Sequence, residues 1–193
     1  TFSDVLLVPQ YSEIMSRKTI DIGSSLSDDL HFSLPLISSP MDTITESTMA
    51  ITMAKHGGLG ILHRYNSIHS QANMAGHSNT VVGAAVGVTG DYVERTKQLV
   101  ENGTSVICID VAHGHHALVR HAIKVLRNTF GTAIHIMAGN VATLEGFNDL
   151  SDWGADSVRV GIGGGSICST RIQTGHGVPT LQSIMDCSTS DRP

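Results

Sequence analysis

Short apolar runs rich in branched side chains alternate along the chain with longer stretches of mixed polarity. The apolar runs are LPLISSP (34–40), GLGILHR (58–64), TVVGAAVG (80–87), SVICIDV (105–111), IHIMAGN (134–140) and SVRVGI (157–162). Each is nearly continuous in its hydrophobicity, which is the pattern of a strand covered on both faces in a parallel sheet. The stretches between them predict helices. One spans 45–57, with Thr45 as N-cap and Gly57 as stop. A second spans 91–103, with Val93, Leu99 and Val100 on one face and Gly103 closing it. A third spans 115–131 and ends at Gly131, and 143–154 predicts a weaker fourth. The segment 65–79 is polar and short, and reads as a link with no inserted domain.

The strand centres recur at roughly 25 residues, the length of one βα unit. Six units suit a doubly wound sheet or a (β/α)8 barrel. The barrel is favoured by where the unusual residues fall. Ser38, Ser39, His63, Asp110, Asn140 and Gly161 all lie at or just after the C-terminal end of a predicted strand. A barrel gathers its chemistry on that face, whereas a doubly wound sheet gathers it at one switch point. The expected class is therefore α/β, a (β/α)8 barrel of which residues 1–193 hold about the first six units. A six-strand arc leaves two open edges, so the expectation is a partial barrel whose other units are absent from this stretch, disordered or supplied separately. The first residue is Thr, which implies that the native start is missing as well.

Composition narrows the function classes. Hydrophobic residues make up 40% of the chain and aromatics only 4%, so the core must be aliphatic. The net charge is −5 and no Lys/Arg-rich run appears, which argues against nucleic acid or an anionic membrane as partner. No apolar run is long enough to span a bilayer. A local anion site remains open, because backbone N–H groups bind phosphate without net positive charge. The cysteines are Cys108, Cys168 and Cys187, an odd number with no C-x-x-C pair. That favours neither a disulfide framework nor a zinc site, and points to a reducing, cytoplasmic setting.

The stretch GIGGGSICSTR (161–171) concentrates the candidate chemistry. Glycines 161, 163, 164 and 165 let backbone approach a ligand, and their N–H groups with the Ser166 hydroxyl could cradle a phosphate. Carbonyls of the same loop could hold a monovalent cation. Cys168 would be a nucleophile, since a thiolate is the best covalent catalyst among ordinary side chains. On composition alone, a flexible barrel loop with an incidental buried cysteine is an equal reading. A Rossmann-type dinucleotide loop is disfavoured, because no helix is expected directly after it.

VGIGGGSICSTR with the downstream TGHGVPTLQSI closely resembles the active-site loop of the IMP dehydrogenase/GMP reductase family. TFSDVLLVPQYSEI (1–14), ISSPMDTITESTMAITMAKHGGLGILHR (37–64), VGAAVG (82–87), IDVAHGH (109–115) and AGNVAT (138–143) resemble further family signatures in the same order. The resemblance implies a (β/α)8 barrel with the reactive cysteine after strand six. It implies that Cys168 attacks C2 of IMP, that hydride passes to NAD, and that the covalent thioimidate is hydrolysed to XMP. Thr170 then matches a threonine beside the reacting carbon. Ser166, with Gly165, matches the phosphate-binding part of the loop, and Ser39 and Met41 match nucleotide contacts. Asp110 matches the carboxylate beside the nicotinamide ribose, with Asn140 and Gly161 also on the cofactor side. The carbonyls of Gly163, Gly165 and Cys168 match a potassium site. A homotetramer is implied too.

Blander roles stay open for several of these. Asp110 also suits a helix cap and Asn140 a turn. His113, His115 and His116 look like a metal cluster, but the family holds no metal there and the last two suit a helix start. Cys108 and Cys187 read as inert filler, and Arg171 as a charge that holds the loop. Within the family, VAHGH, GAAVG and GNVAT lean toward the dehydrogenase. TRIQTGHG and the lack of the paired CBS motifs that most dehydrogenases insert after strand two lean toward GMP reductase, which uses NADPH to convert GMP to IMP. A non-catalytic nucleotide-binding relative is the third reading, opposed by the joint presence of Cys168, Thr170, Asp110 and Asn140.

Overall fold

The computed structural model describes residues 2–77 and 80–192. An antiparallel hairpin, β1 (Ser24–Ser27) and β2 (Leu30–Phe32), precedes six parallel strands. These are β3 (Ile37–Ser38), β4 (Leu59–Leu62), β5 (Gly83–Val86), β6 (Val106–Asp110), β7 (His135–Val141) and β8 (Ser157–Val160). Helices α1 (Ser47–Lys55), α2 (Ile68–Gly76), α3 (Tyr92–Glu101), α4 (Ala117–Phe130) and α5 (Leu144–Trp153) fill the five intervals. After β8 come α6 (Thr170–Thr174) and α7 (Thr180–Cys187).

All six expected strands are present, and they pair in sequence order from β3 to β8. A doubly wound sheet would reverse its order at a switch point; this one runs in a single direction, as a curling barrel wall does. Among the described residues β3 and β8 are the sheet's two edges.

Alternation along each strand divides the core in two. Leu62, Val86, Ile107, Ile109 and Ile136 face outward and bury against Leu99, Ile123, Leu126 and Leu150 of the helices. Leu59, Ile61, Ala85, Val106, Cys108 and Met137 face the barrel interior, where Leu26, Leu30 and Phe32 of the hairpin pack against them. The hairpin therefore plugs the interior. Ahead of it, Leu6, Leu7 and Met15 of the N-terminal arm lie almost wholly in solvent.

Three local expectations need correction. Residues 65–79 are not a plain link, because α2 occupies Ile68–Gly76. Its buried face is Gln71, Ala72 and Ala75, too polar and too small to read as an amphipathic stripe. Gln71 donates to the Ala85 carbonyl (2.8 Å) and accepts from Arg95 (2.9 Å), which pairs with Asp91 (2.8 Å). Second, Thr45 is not the N-cap of α1; Glu46 holds that position and Thr45 turns inward. Third, a helix does follow the cysteine loop closely, since α6 begins at Thr170. The weaker fourth helix of the sequence is α5, capped by the Thr143 hydroxyl accepting from the Gly146 N–H (3.1 Å). Gly60 allows α1 its close seat on β4: a Cβ there would lie 2.4 Å from the Ala50 Cα.

Candidate active site

The expected site residues fall on the C-terminal ends of the strands, in two groups that meet at Gly161. The first group lies on the strand ends themselves. Asp110 ends β6, and its carboxylate pairs with Arg159 of β8 at 2.5 Å. The same guanidinium lies 3.6 Å from the Cys108 sulfur. Burial pushes the Cys108 thiol up to about 11, with the Arg159 charge opposing the shift. Among the described hydrogen bonds only one Asp110 oxygen is engaged by a side chain, so the other can accept from a ligand hydroxyl.

Asn140 is fixed from three sides. Its N–H donates to the Val111 carbonyl (3.0 Å), its carbonyl accepts from Gly114 (2.7 Å), and its side-chain amide donates to the Gly161 carbonyl (3.0 Å). It is more than a turn former: it ties β7 to the β6 loop and to the root of the cysteine loop. Ser39 follows β3, where its carbonyl accepts from the Met41 N–H (2.9 Å). A cavity of about 210 Å³ joins Ser39 and Pro40 to Met137, Ser157 and Arg159 across the barrel interior. Met41 is 38% exposed and stands at the rim.

The second group is the loop. Gly161 N–H donates to the Val141 carbonyl (2.7 Å), continuing the β7 pairing before the chain turns away. At Gly163 φ is +80°, a region that L side chains rarely adopt. A Cβ on Gly164 would sit 1.8 Å from the Thr180 hydroxyl, so the loop lies directly on the start of α7. Cys168 N–H donates to the Gly165 carbonyl (3.1 Å), which closes a turn over 165–168. The Thr170 hydroxyl, then the backbone N–H groups of Thr170 and Gly163 and the Arg171 charge, hold the Cys168 thiol below its ordinary value. Cys168 is only partly covered, whereas Cys108 and Cys187 are buried. That combination of access and a depressed thiol marks a reactive cysteine. Ser166 is exposed beside it.

Of the three expected cation carbonyls, that of Gly165 accepts from the Cys168 N–H (3.1 Å). The histidines 113, 115 and 116 form no metal cluster; no group of three ligating side chains suited to a metal occurs among the described residues. His115 instead pairs with Asp149 (2.7 Å), and His116 caps α4. Arg171 makes no ion pair among the described residues; a Cβ on Gly163 would meet its stem at 2.8 Å, and one on Gly177 at 2.9 Å.

Two residues of this face were not singled out in the sequence. Arg159 is one, and its signal was legible: a lone cation inside an apolar strand needs a buried anion, and Asp110 lies at the same level. Thr45 is the other, hidden by its resemblance to a helix cap.

Parallel βα units paired in sequence order, with an accessible thiol held below its ordinary value on a glycine-rich loop at the strand ends, define a barrel-type α/β wall with a candidate cysteine site. A sequence profile of the IMP dehydrogenase / GMP reductase domain matches residues 1–193, and the chain belongs to that family. The inosine-5'-monophosphate dehydrogenase of Cryptosporidium parvum is 36% identical over 234 residues, covering 97% of this chain and 57% of its own. The GMP reductase of Leishmania major is 27% identical over 325 residues, covering 97% of this chain and 66% of its own. The crystal structure of inosine 5' monophosphate dehydrogenase from Legionella pneumophila superimposes with a TM-score of 0.93 at 45% identity, over all of this chain and 59% of that one. The chain thus spans about 57% to 66% of the length of these relatives. No helix among the described residues is long and apolar enough to cross a membrane.

Proposed function

We propose that the protein to which this chain belongs is an IMP dehydrogenase, with residues 1–193 forming the catalytic barrel's first six units and no CBS insert. The observation that carries the reading is the accessible, hydrogen-bonded Cys168 on a glycine loop whose root, Gly161, is tied to Asn140.

The residues divide the work as follows. Ser39 and Met41 on one side, and Gly165 and Ser166 on the other, hold the nucleotide so that purine C2 faces Cys168. The Cys168 thiolate adds to C2 and forms a carbon–sulfur bond. This is needed because C2 carries no leaving group except hydride. NAD supplies the hydride acceptor when bound. Asp110 and Asn140, with the Gly161 backbone, orient its nicotinamide end. Loss of hydride leaves a thioimidate on Cys168. Water then adds at C2, the thiolate leaves, and XMP is released. Thr170 keeps the sulfur in its thiolate form by donating to it. A potassium ion on the Gly163, Gly165 and Cys168 carbonyls would brace the loop. A cytoplasmic homotetramer completes the proposal, with no nucleic acid and no membrane as partner.

GMP reductase is the second reading, favoured by the Thr174–Gly175 pair and the short 65–79 connection. One assay on the complete protein separates the two. NADH appearing with IMP, NAD and potassium establishes the dehydrogenase; NADPH consumed with GMP establishes the reductase. In the active branch, Cys168→Ala should abolish turnover and leave nucleotide binding largely intact. Residual turnover with lost binding would remove Cys168 from the nucleophile's role. Silence in both cuvettes from folded protein would favour a non-catalytic nucleotide binder.

A further inference from the structure

We infer that Thr45 is a positioning residue for the nucleotide side of the site, acting through the Ser38–Met41 turn; this rests on the nucleotide reading of Ser39 and Met41 above. Thr45 has no exposed surface. Its hydroxyl lies 2.6 Å from the Ser39 carbonyl oxygen and 3.0 Å from the Ser38 hydroxyl. A threonine hydroxyl has one proton and two lone pairs. The shorter contact takes the proton, since a carbonyl can only accept. The Ser38 hydroxyl then donates back to Thr45, so its orientation is set too.

The backbone of Thr45 completes the tie. Its N–H donates to the Met41 carbonyl (3.0 Å), and its carbonyl accepts from the His63 N–H at the end of β4 (3.3 Å). One residue therefore joins the end of β3, the turn that carries Ser39 and Met41, and the end of β4. Beside it, His63 is 3% exposed and bonds the Glu46 carboxylate at 3.2 Å. Helix capping does not explain the hydroxyl, because Glu46 occupies the cap position. Without the hydroxyl the Ser39 carbonyl keeps, among the described residues, only the Met41 N–H, and the turn is free to shift against the strand ends.

The test is steady-state kinetics of the complete protein with IMP as the varied substrate, comparing wild type, Thr45→Val and Thr45→Ser. Valine keeps the shape and deletes the hydroxyl; serine keeps the hydroxyl and deletes the methyl. A turn that holds ground state and transition state alike changes KM and not kcat. Thr45→Val should raise the KM for IMP about three- to tenfold, the worth of one hydrogen bond, with kcat within about twofold of wild type. Thr45→Ser should restore the wild-type KM within about twofold. An unchanged KM in Thr45→Val overturns the inference. So does equal impairment in Thr45→Ser, which would assign the effect to methyl packing, and so does a loss confined to kcat. If Thr45→Val does not fold, Thr45→Ala takes its place, with the same KM rise expected relative to Thr45→Ser. A second readout needs no turnover: the IMP concentration that half-protects Cys168 from alkylation should shift with KM. Wild-type protein that neither oxidises IMP nor is protected by it defeats the nucleotide reading itself. Active wild type with indifferent Thr45 variants defeats only the positioning role.

Discussion

Gly60→Ala offers a sharp test of how the site is seated. Gly60 lies in the middle of β4, and the added Cβ would fall 2.4 Å from the Ala50 Cα and 2.8 Å from the Ala50 Cβ. Ordinary carbon–carbon contact begins at about 3.5 Å, so α1 must move by about 1 Å or β4 must bend. Neither atom is the far end of a flexible side chain, so no rotamer change relieves the clash. Overpacking of this kind costs about 2–3 kcal/mol. In a domain of this size that lowers Tm by roughly 4–12 °C. The assay is thermal and urea unfolding of Gly60→Ala against Gly90→Ala, whose Cβ would meet nothing within 4 Å and whose φ of +69° adds only backbone strain. Ala50→Gly in the Gly60→Ala background should rescue poorly, since it removes the clash with the side-chain methyl and leaves the tighter one with the helix backbone. It also adds about 1 kcal/mol of helix-interior glycine cost. Because α1 follows directly on the Met41–Thr45 turn, the KM for nucleotide should rise as well. A Gly60→Ala protein with wild-type Tm, or full rescue by Ala50→Gly, would refute the reasoning.

Other expectations follow from the same packing and charges. Iodoacetamide should modify Cys168 first, with a rate that rises below the ordinary thiol range, while buried Cys108, its thiol pushed up to about 11, stays unmodified until unfolding; peptide mass mapping reads the order, and early labelling of Cys108 would contradict it. Arg159→Met leaves the Asp110 carboxylate, 21% exposed, without its partner and should cost roughly 1–3 kcal/mol in urea unfolding. Adding Asp110→Asn should recover part of that loss, and a cost near zero for the single variant would dismiss the pair. Burial, aided by the Arg127 charge and opposed by Asp156, holds the His135 imidazole below its ordinary value of 6.5. The unfolded chain therefore takes up a proton first on acidification. This contribution is fully present above pH 6.5 and is lost as pH falls from there through the lower folded value. His135→Gln should flatten the fall between about pH 7 and 5 in pH-dependent unfolding, and an unchanged slope would assign the acid sensitivity elsewhere.

How much of this was legible in the sequence depends on the range of the interaction responsible. The six barrel strands were readable because burial on both faces demands an uninterrupted apolar run, which is a local property of sequence. Helices α3, α4 and α5 were readable from their period and from Gly103, Gly131 and Gly154, which close them in the left-handed or related region. The cysteine loop announced itself through four glycines and a thiol in sequence. Helix α2 was not readable, because its packing face is made of alanines and a glutamine whose partners, Ala85 and Arg95, are far along the chain. The hairpin was hidden for a similar reason. Leu26, Leu30 and Phe32 are isolated among polar residues, and their value appears only when the barrel interior receives them. The order of the strands followed from the barrel expectation, but the pairing of Asp110 with Arg159 and the inward turn of Thr45 were decided by tertiary structure alone. A strand or loop can be inferred from the chemistry of consecutive residues, but the partner of a buried polar group is fixed only when distant segments enclose it and water can no longer serve.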